Sequence, residues 1–132
     1  MSDVEAVADA FVDAINRRDL DGLAALLSDD HRLEVFDEPP LEGKPANIDA
    51  WRGYLDSYPS YVITSHQAAE RDGVVAILGH TTGSHLGLPD EEEQALTLIW
   101  LAHVDDGRVT RWRLIEDTPA NRATWGLRHP RQ

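Results

Sequence analysis

Apolar residues repeat along this chain at two different intervals, and the change of interval divides it. Val4, Val7, Ala8, Phe11, Ala14 and Ile15 recur at a helical period, while Asp9, Asp13, Asn16 and Arg17 fall elsewhere. This predicts an amphipathic helix over residues 3–17, capped by Ser2 or Asp3. Leu20, Leu23, Leu26 and Leu27 predict a second helix over 20–27, with Asp19 as its N-cap. From His31 to Phe36 the interval falls to two, with Leu33 and Val35 alternating against Arg32 and Glu34, so a short strand is expected. Asp37-Glu38-Pro39-Pro40 breaks it, and a loop runs to Pro45. A third helix over 47–57 places Ile48, Trp51, Tyr54 or Leu55, and Tyr58 on one face before Pro59 stops it.

The remainder reads as sheet. Strands are predicted over 61–70, 74–82, 95–104 and 109–116, with hairpin turns at Asp72-Gly73 and Asp105-Asp106-Gly107. Residues 86–94 form a connection, and a short helical turn follows Pro119 and ends near Gly126. The strand over 95–104 is apolar on both faces: Leu96, Leu98, Trp100, Ala102 and Val104 on one, Ala95, Thr97, Ile99, Leu101 and His103 on the other. Three short helices cover one face of a sheet, so the other predicts a homodimer packed through the sheet. No repeat or linker divides the chain, and a single domain over 1–132 is expected.

Composition narrows the chemistry. A chain of 132 residues buries about two-thirds of its unfolded surface and needs no covalent staple. There is no cysteine, which excludes disulfides, thiolate metal sites and cysteine nucleophiles and fits a cytoplasmic protein. No apolar stretch approaches the roughly 18 residues that span a bilayer, so a soluble, unprocessed chain is expected. The formal charge is −12, from 24 acids against 12 bases, which opposes nucleic acid and anionic membrane as partners. The six histidines form no strong ligand spacing, and no phosphate loop, dinucleotide motif or nucleophile elbow is present. No metal or cofactor is expected, and the acidic run Asp90-Glu91-Glu92-Glu93 reads as a solvated loop.

The run Gly79-His80-Thr81-Thr82-Gly83-Ser84-His85-Leu86-Gly87-Leu88-Pro89 resembles a Gly-Thr-His-Thr-Gly-Glu-Phe-x-Gly-x-Pro pattern. That pattern belongs to the SnoaL-like, polyketide cyclase-like group of the nuclear transport factor 2-like superfamily. Asp106-Gly107-Arg108-Val109, then Trp112 and Asp117, are similar to the end of the family pattern. The likeness extends from about Val4 to Leu127. It implies an α+β fold in which a cone-shaped, curved antiparallel sheet packs on N-terminal helices, the cystatin-like α+β barrel. It also implies a pocket between sheet and helices, and a late carboxylate acting as general base. In this register the family's histidine falls on Thr81, its glutamate on Ser84 and its aromatic on His85, and a histidine stands one place earlier at His80.

Candidate residues follow. Leu33, Val35 or Phe36, Trp51, Tyr54, Trp100, Trp112 and Leu114 are the expected walls of a small-molecule pocket. Asp117, with Glu116 as its rival, is the candidate base, because loss of hydration in an apolar cone raises a carboxyl pKa toward the useful range. His80 or a tyrosine would steady an enolate. These roles describe a cofactor-free aldol cyclase, isomerase or dehydratase acting on an apolar carbonyl metabolite. The alternative is a non-catalytic binding or dimerisation module. Adjacent strand residues face opposite ways, so which face His80 takes decides its role.

Overall fold

In a computed structural model, residues 3–128 are described. The first helical period becomes α1 (Asp3–Asn16), which buries Ala8, Phe11, Ala14 and Ile15. Next comes α2 (Leu20–Leu26), whose N-cap Asp19 accepts a hydrogen bond from the Gly22 amide. A strand, β1 (Leu27–Val35), follows without a break. It begins four residues before the expected start at His31. Leu27 pairs with Val109 and the register shifts before Arg32, so Asp29 and Asp30 sit in an irregular, exposed stretch that hides the strand from a period-two pattern.

A two-residue strand, β2 (Leu41–Glu42), lies within the expected loop and is too short to show a period. The third helix, α3 (Lys44–Ser57), starts three residues earlier than expected, because Pro45 occupies its first turn, where no amide donor is needed. Asn47 is fully buried there and donates to the carbonyls of Gly43, Leu41 and His31. That side chain ties α3, the helix that carries Trp51 and Tyr54, to the two strands.

Four strands complete the sheet: β3 (Val62–Arg71), β4 (Val74–Thr82), β5 (Leu98–Asp105) and β6 (Arg108–Glu116). Between β4 and β5 lies a one-turn helix, α4 (Asp90–Glu93), so β5 begins later than the expected Ala95. A last helix, α5 (Pro119–Trp125), is capped by Thr118 and closed by Gly126 at φ 76°. The order across the sheet is β2-β1-β6-β5-β4-β3. The expected α+β arrangement is present, but the sheet is not wholly antiparallel: β1 runs parallel to β6. Nearly the whole chain between them serves as the crossover that a parallel pair requires.

The sheet has two differently covered faces. Val75, Ile77, Trp100, Ala102 and Trp112 pack with α1 to α3 in the main core. Ala76, Leu78, Ile99 and Leu101 face the other way, under Trp125 and Leu127. The apolar second face of the expected 95–104 strand is therefore covered by the chain's own C-terminal segment. This removes the reason the sequence offered for a sheet-packed homodimer. No helix among the described residues is long and apolar enough to cross a membrane.

Candidate functional site

Register sets the candidate site. Leu33 lies beside Trp112, Val35 beside Leu114, Leu114 beside Trp100 and Trp100 beside Ile77, so the inward residues of four strands form continuous rows. Opposite them α3 brings Ala50, Trp51 and Tyr54. The rows do not close, and they leave a hollow of about 210 Å³ lined by Leu33, Val35, Trp51, Tyr54, Trp100, Trp112 and Leu114, with Tyr61 and His85. A neighbouring hollow of about 570 Å³ shares Tyr54, Tyr61, His85, Trp100 and Leu114 with it. Phe36 lines this second hollow, along with Thr81, Ser84, Glu93 and Thr97.

The turn after β4 brings polar groups to these walls. A side chain at Gly79 would strike the Thr64 carbonyl, and one at Gly83, at φ 69°, would strike Ser60. Only glycine permits that path, which delivers Ser84 and His85 to the hollow. The Tyr54 hydroxyl lies 2.8 Å from His85 Nδ1 and accepts from the His85 amide at 3.2 Å. Burial raises the Tyr54 pKa, which keeps the phenol protonated, and burial raises that of Tyr61 as well. The Trp51 indole N–H is buried with no partner among the described residues.

The sequence placed Glu93 in a solvated loop, whereas it is 1% exposed and lines the larger hollow. It accepts a hydrogen bond from the Thr81 hydroxyl and one from the Ser84 amide at 3.4 Å. Four acids on a single helical turn point in different directions, so one of them must face inward. Pro89, a helix-starting residue just before the run, was the available signal.

The expected catalytic trio lines neither hollow. Asp117 carries out a different task. Arg122 donates to it twice, at 2.6 and 2.7 Å, and the Thr97 hydroxyl donates at 2.5 Å. The Arg122 hydrogen bonds hold its carboxyl below the usual range, outweighing burial, so the expected rise is reversed. Glu116 shares the inward parity of Trp112 and Leu114 but is exposed at the end of the strand. His80 follows Ala76 and Leu78 onto the outer face, where its Nδ1 lies 2.6 Å from His66 Nε2. Burial and then the charge of His66 lower its pKa. Thr81, where the family pattern has its histidine, is the residue that turns inward. His31, the first residue of the expected strand, is buried within β1 with Nδ1 2.7 Å from the Val109 carbonyl.

On the outer face, Glu34 pairs with Arg111 at 2.7 Å and lies near Arg32 and Arg113. Burial, then Arg111 and Arg113, lower the pKa of the neighbouring His103 to about 4, while Glu34 opposes them. The unfolded chain therefore binds this proton below about pH 6.5, and the folded chain only near pH 4. Stability falls as pH drops through that window and is restored above it. His103→Gln flattens the dependence, with about 1–2 kcal/mol less loss between pH 7 and 4.5 in urea unfolding after allowance for partial exposure. Equal slopes for the two proteins would show that His103 titrates normally.

Among the described residues, no group of three or more metal-capable side chains gathers.

Solved structures share this architecture. An uncharacterised cystatin-fold protein from Novosphingobium aromaticivorans superposes with a TM-score of 0.73 at 20% identity, over 88% of this chain and 99% of its own. A proposed polyketide cyclase from Sinorhizobium meliloti gives 0.71 at 19% identity, over 87% and 100%. An LEH-like epoxide hydrolase from M. tuberculosis gives 0.66 at 20% identity, over 87% and 83%. At these identities the likeness speaks for fold alone. No curated protein matches the chain. The family model of the SnoaL-like domain matches residues 8–112, and the chain accordingly belongs to the SnoaL-like family of the nuclear transport factor 2-like superfamily.

Proposed function

We propose that this protein is a cofactor-free general acid–base enzyme acting on an apolar carbonyl compound held in the hollow. The carrying observation is the Tyr54–His85 pair, 2.8 Å apart, set in an otherwise apolar wall. Both His85 N–H groups can donate to the Tyr54 oxygen when the ring proton is on Nδ1. The phenolic proton is then free for a ligand carbonyl, and Nε2 is free as a base. Nε2 takes a proton from the carbon beside the carbonyl, and the Tyr54 hydroxyl stabilises the enolate oxygen. Return of the proton to a different atom is isomerisation; attack of the enolate carbon on a second carbonyl is aldol cyclisation. The unpartnered Trp51 N–H supplies a further donor for a ligand oxygen.

Exchange of the ligand's α-proton for deuterium reports the first step whatever the net reaction. Wild-type protein in D2O is expected to accelerate that exchange for carbonyl compounds that bind. Tyr54→Phe and His85→Gln should each slow it by about 100-fold. Binding without any acceleration would reduce the protein to a ligand-binding module. One observation favours that second reading: Asp117, the family-like base, is committed to Arg122.

A further inference from the structure

The electrostatics of the two hollows differ from those of the rest of the sheet. No lysine or arginine lines either of them. Glu93, in the wall of the larger, is 1% exposed. A buried carboxylate without a counter-charge is costly. Glu93 has two neutral hydrogen-bond donors and, among the described residues, no lysine or arginine within ion-pair distance. Carboxylates elsewhere are treated differently: Glu34 has three arginines nearby, and Asp117 has Arg122. Arginine partners are thus provided for these less buried carboxylates and withheld from the one beside the empty space.

The walls complete the pattern. Trp51, Tyr54, Tyr61, Trp100 and Trp112 line the smaller hollow, and three of them also line the larger. Aromatic faces carry partial negative charge and attract cations, most strongly where water is excluded. Glu93 exerts its charge on Tyr54 and Tyr61, so carboxylate and rings act on the same space.

We infer that the ligand carries a cationic nitrogen, a protonated amine or quaternary ammonium, on an apolar body, held against the aromatic walls with Glu93 as its counter-charge. This rests on the hollow being a ligand site and adds the ligand's charge to that reading. Carboxylates and phosphates are disfavoured, because they would meet Glu93 with no arginine or lysine to offset it.

Three benzyl compounds test it by tryptophan fluorescence: benzyltrimethylammonium, its uncharged isostere neopentylbenzene, and the anion phenylacetate. The ammonium is expected to bind at least about tenfold more tightly than the isostere. The preference should persist in about 1 M salt, where attraction to a merely acidic surface is screened within about 3 Å. Glu93→Gln should remove about tenfold of the ammonium's affinity and leave the isostere unchanged. If that variant does not fold, NMR on the wild type still decides, because the ammonium methyls should give cross-peaks to the indole protons of Trp51 and Trp100. Equal binding of ammonium and isostere, loss of the preference in salt, or tighter binding of phenylacetate would each overturn the inference and leave the ligand site standing. Failure of all three probes to bind would overturn both.

Discussion

Asp117→Ala is expected to lower the stability of this protein by about 3–5 kcal/mol, because it strands the Arg122 guanidinium in a buried position. The two side chains are only 8% and 10% exposed and make three short contacts with each other and with Thr97. Arg122 also donates to the Arg128 carbonyl, so the pair fastens the C-terminal segment to the sheet. Replacing both partners with apolar residues of similar volume should restore most of the loss. The sign with pH follows from the lowered carboxyl pKa. The contribution is fully present above the unfolded value of about 4 and disappears as pH falls through the lower folded value. Urea unfolding of wild type and variant should therefore differ most near neutrality and converge in strong acid. A second, isosteric variant separates structure from catalysis. A stable Asp117→Asn protein that had lost α-proton exchange would return Asp117 to the role of base and refute the reading of this pair as a fastener.

Trp100→Ala should cost a similar amount, about 3–5 kcal/mol, and lower the melting temperature by about 10–20 °C. Trp100 is 2% exposed and its ring lies 6.4 Å from that of Trp112. It is also a wall of both hollows. A residue packed on every side leaves a full cavity when truncated, whereas one facing empty space loses fewer contacts. Thermal unfolding thus measures how far this tryptophan is core and how far it is pocket. A loss below about 1 kcal/mol would make it a ligand wall and little else. The variant should also accept bulkier apolar probes than the wild type.

Much of the scaffold was legible because helix and strand periods are local. Val7, Phe11 and Ile15 announce a helix without reference to anything distant, and Leu33 with Val35, or Trp112 with Leu114, announce inward strand positions. The walls of the hollow were legible for the same reason: large apolar residues at inward parity on adjacent elements converge once the fold class is known. Phe36 shows the limit. It lies just beyond the end of β1, is 46% exposed, and lines only the larger hollow.

The polar half of the site was hidden. Parity places His80 opposite to Thr81, but only the packed helices decide which of the two faces inward. Asp117 looked like a base because it follows the last strand, where the family resemblance implies a late carboxylate. Its partner lies one helical turn further on, and pairing requires Thr118 and Pro119 to start a helix that folds back. Glu93 looked solvated because the acids around it are, and its burial depends on Thr81 and Ser84 from a different element.

The amino-acid order by itself determined the long helices and strands, the apolar stripe along each and the family resemblance, since these depend on spacing within short segments. Tertiary structure alone decided which carboxylate faces the empty space, which is neutralised by an arginine, and what covers the sheet's second face. The physical reason is one of range. Burial of an apolar side chain is non-directional and rewards any correct face, whereas the state of a charge depends on the few atoms within about 4 Å of it, and those come from distant parts of the chain.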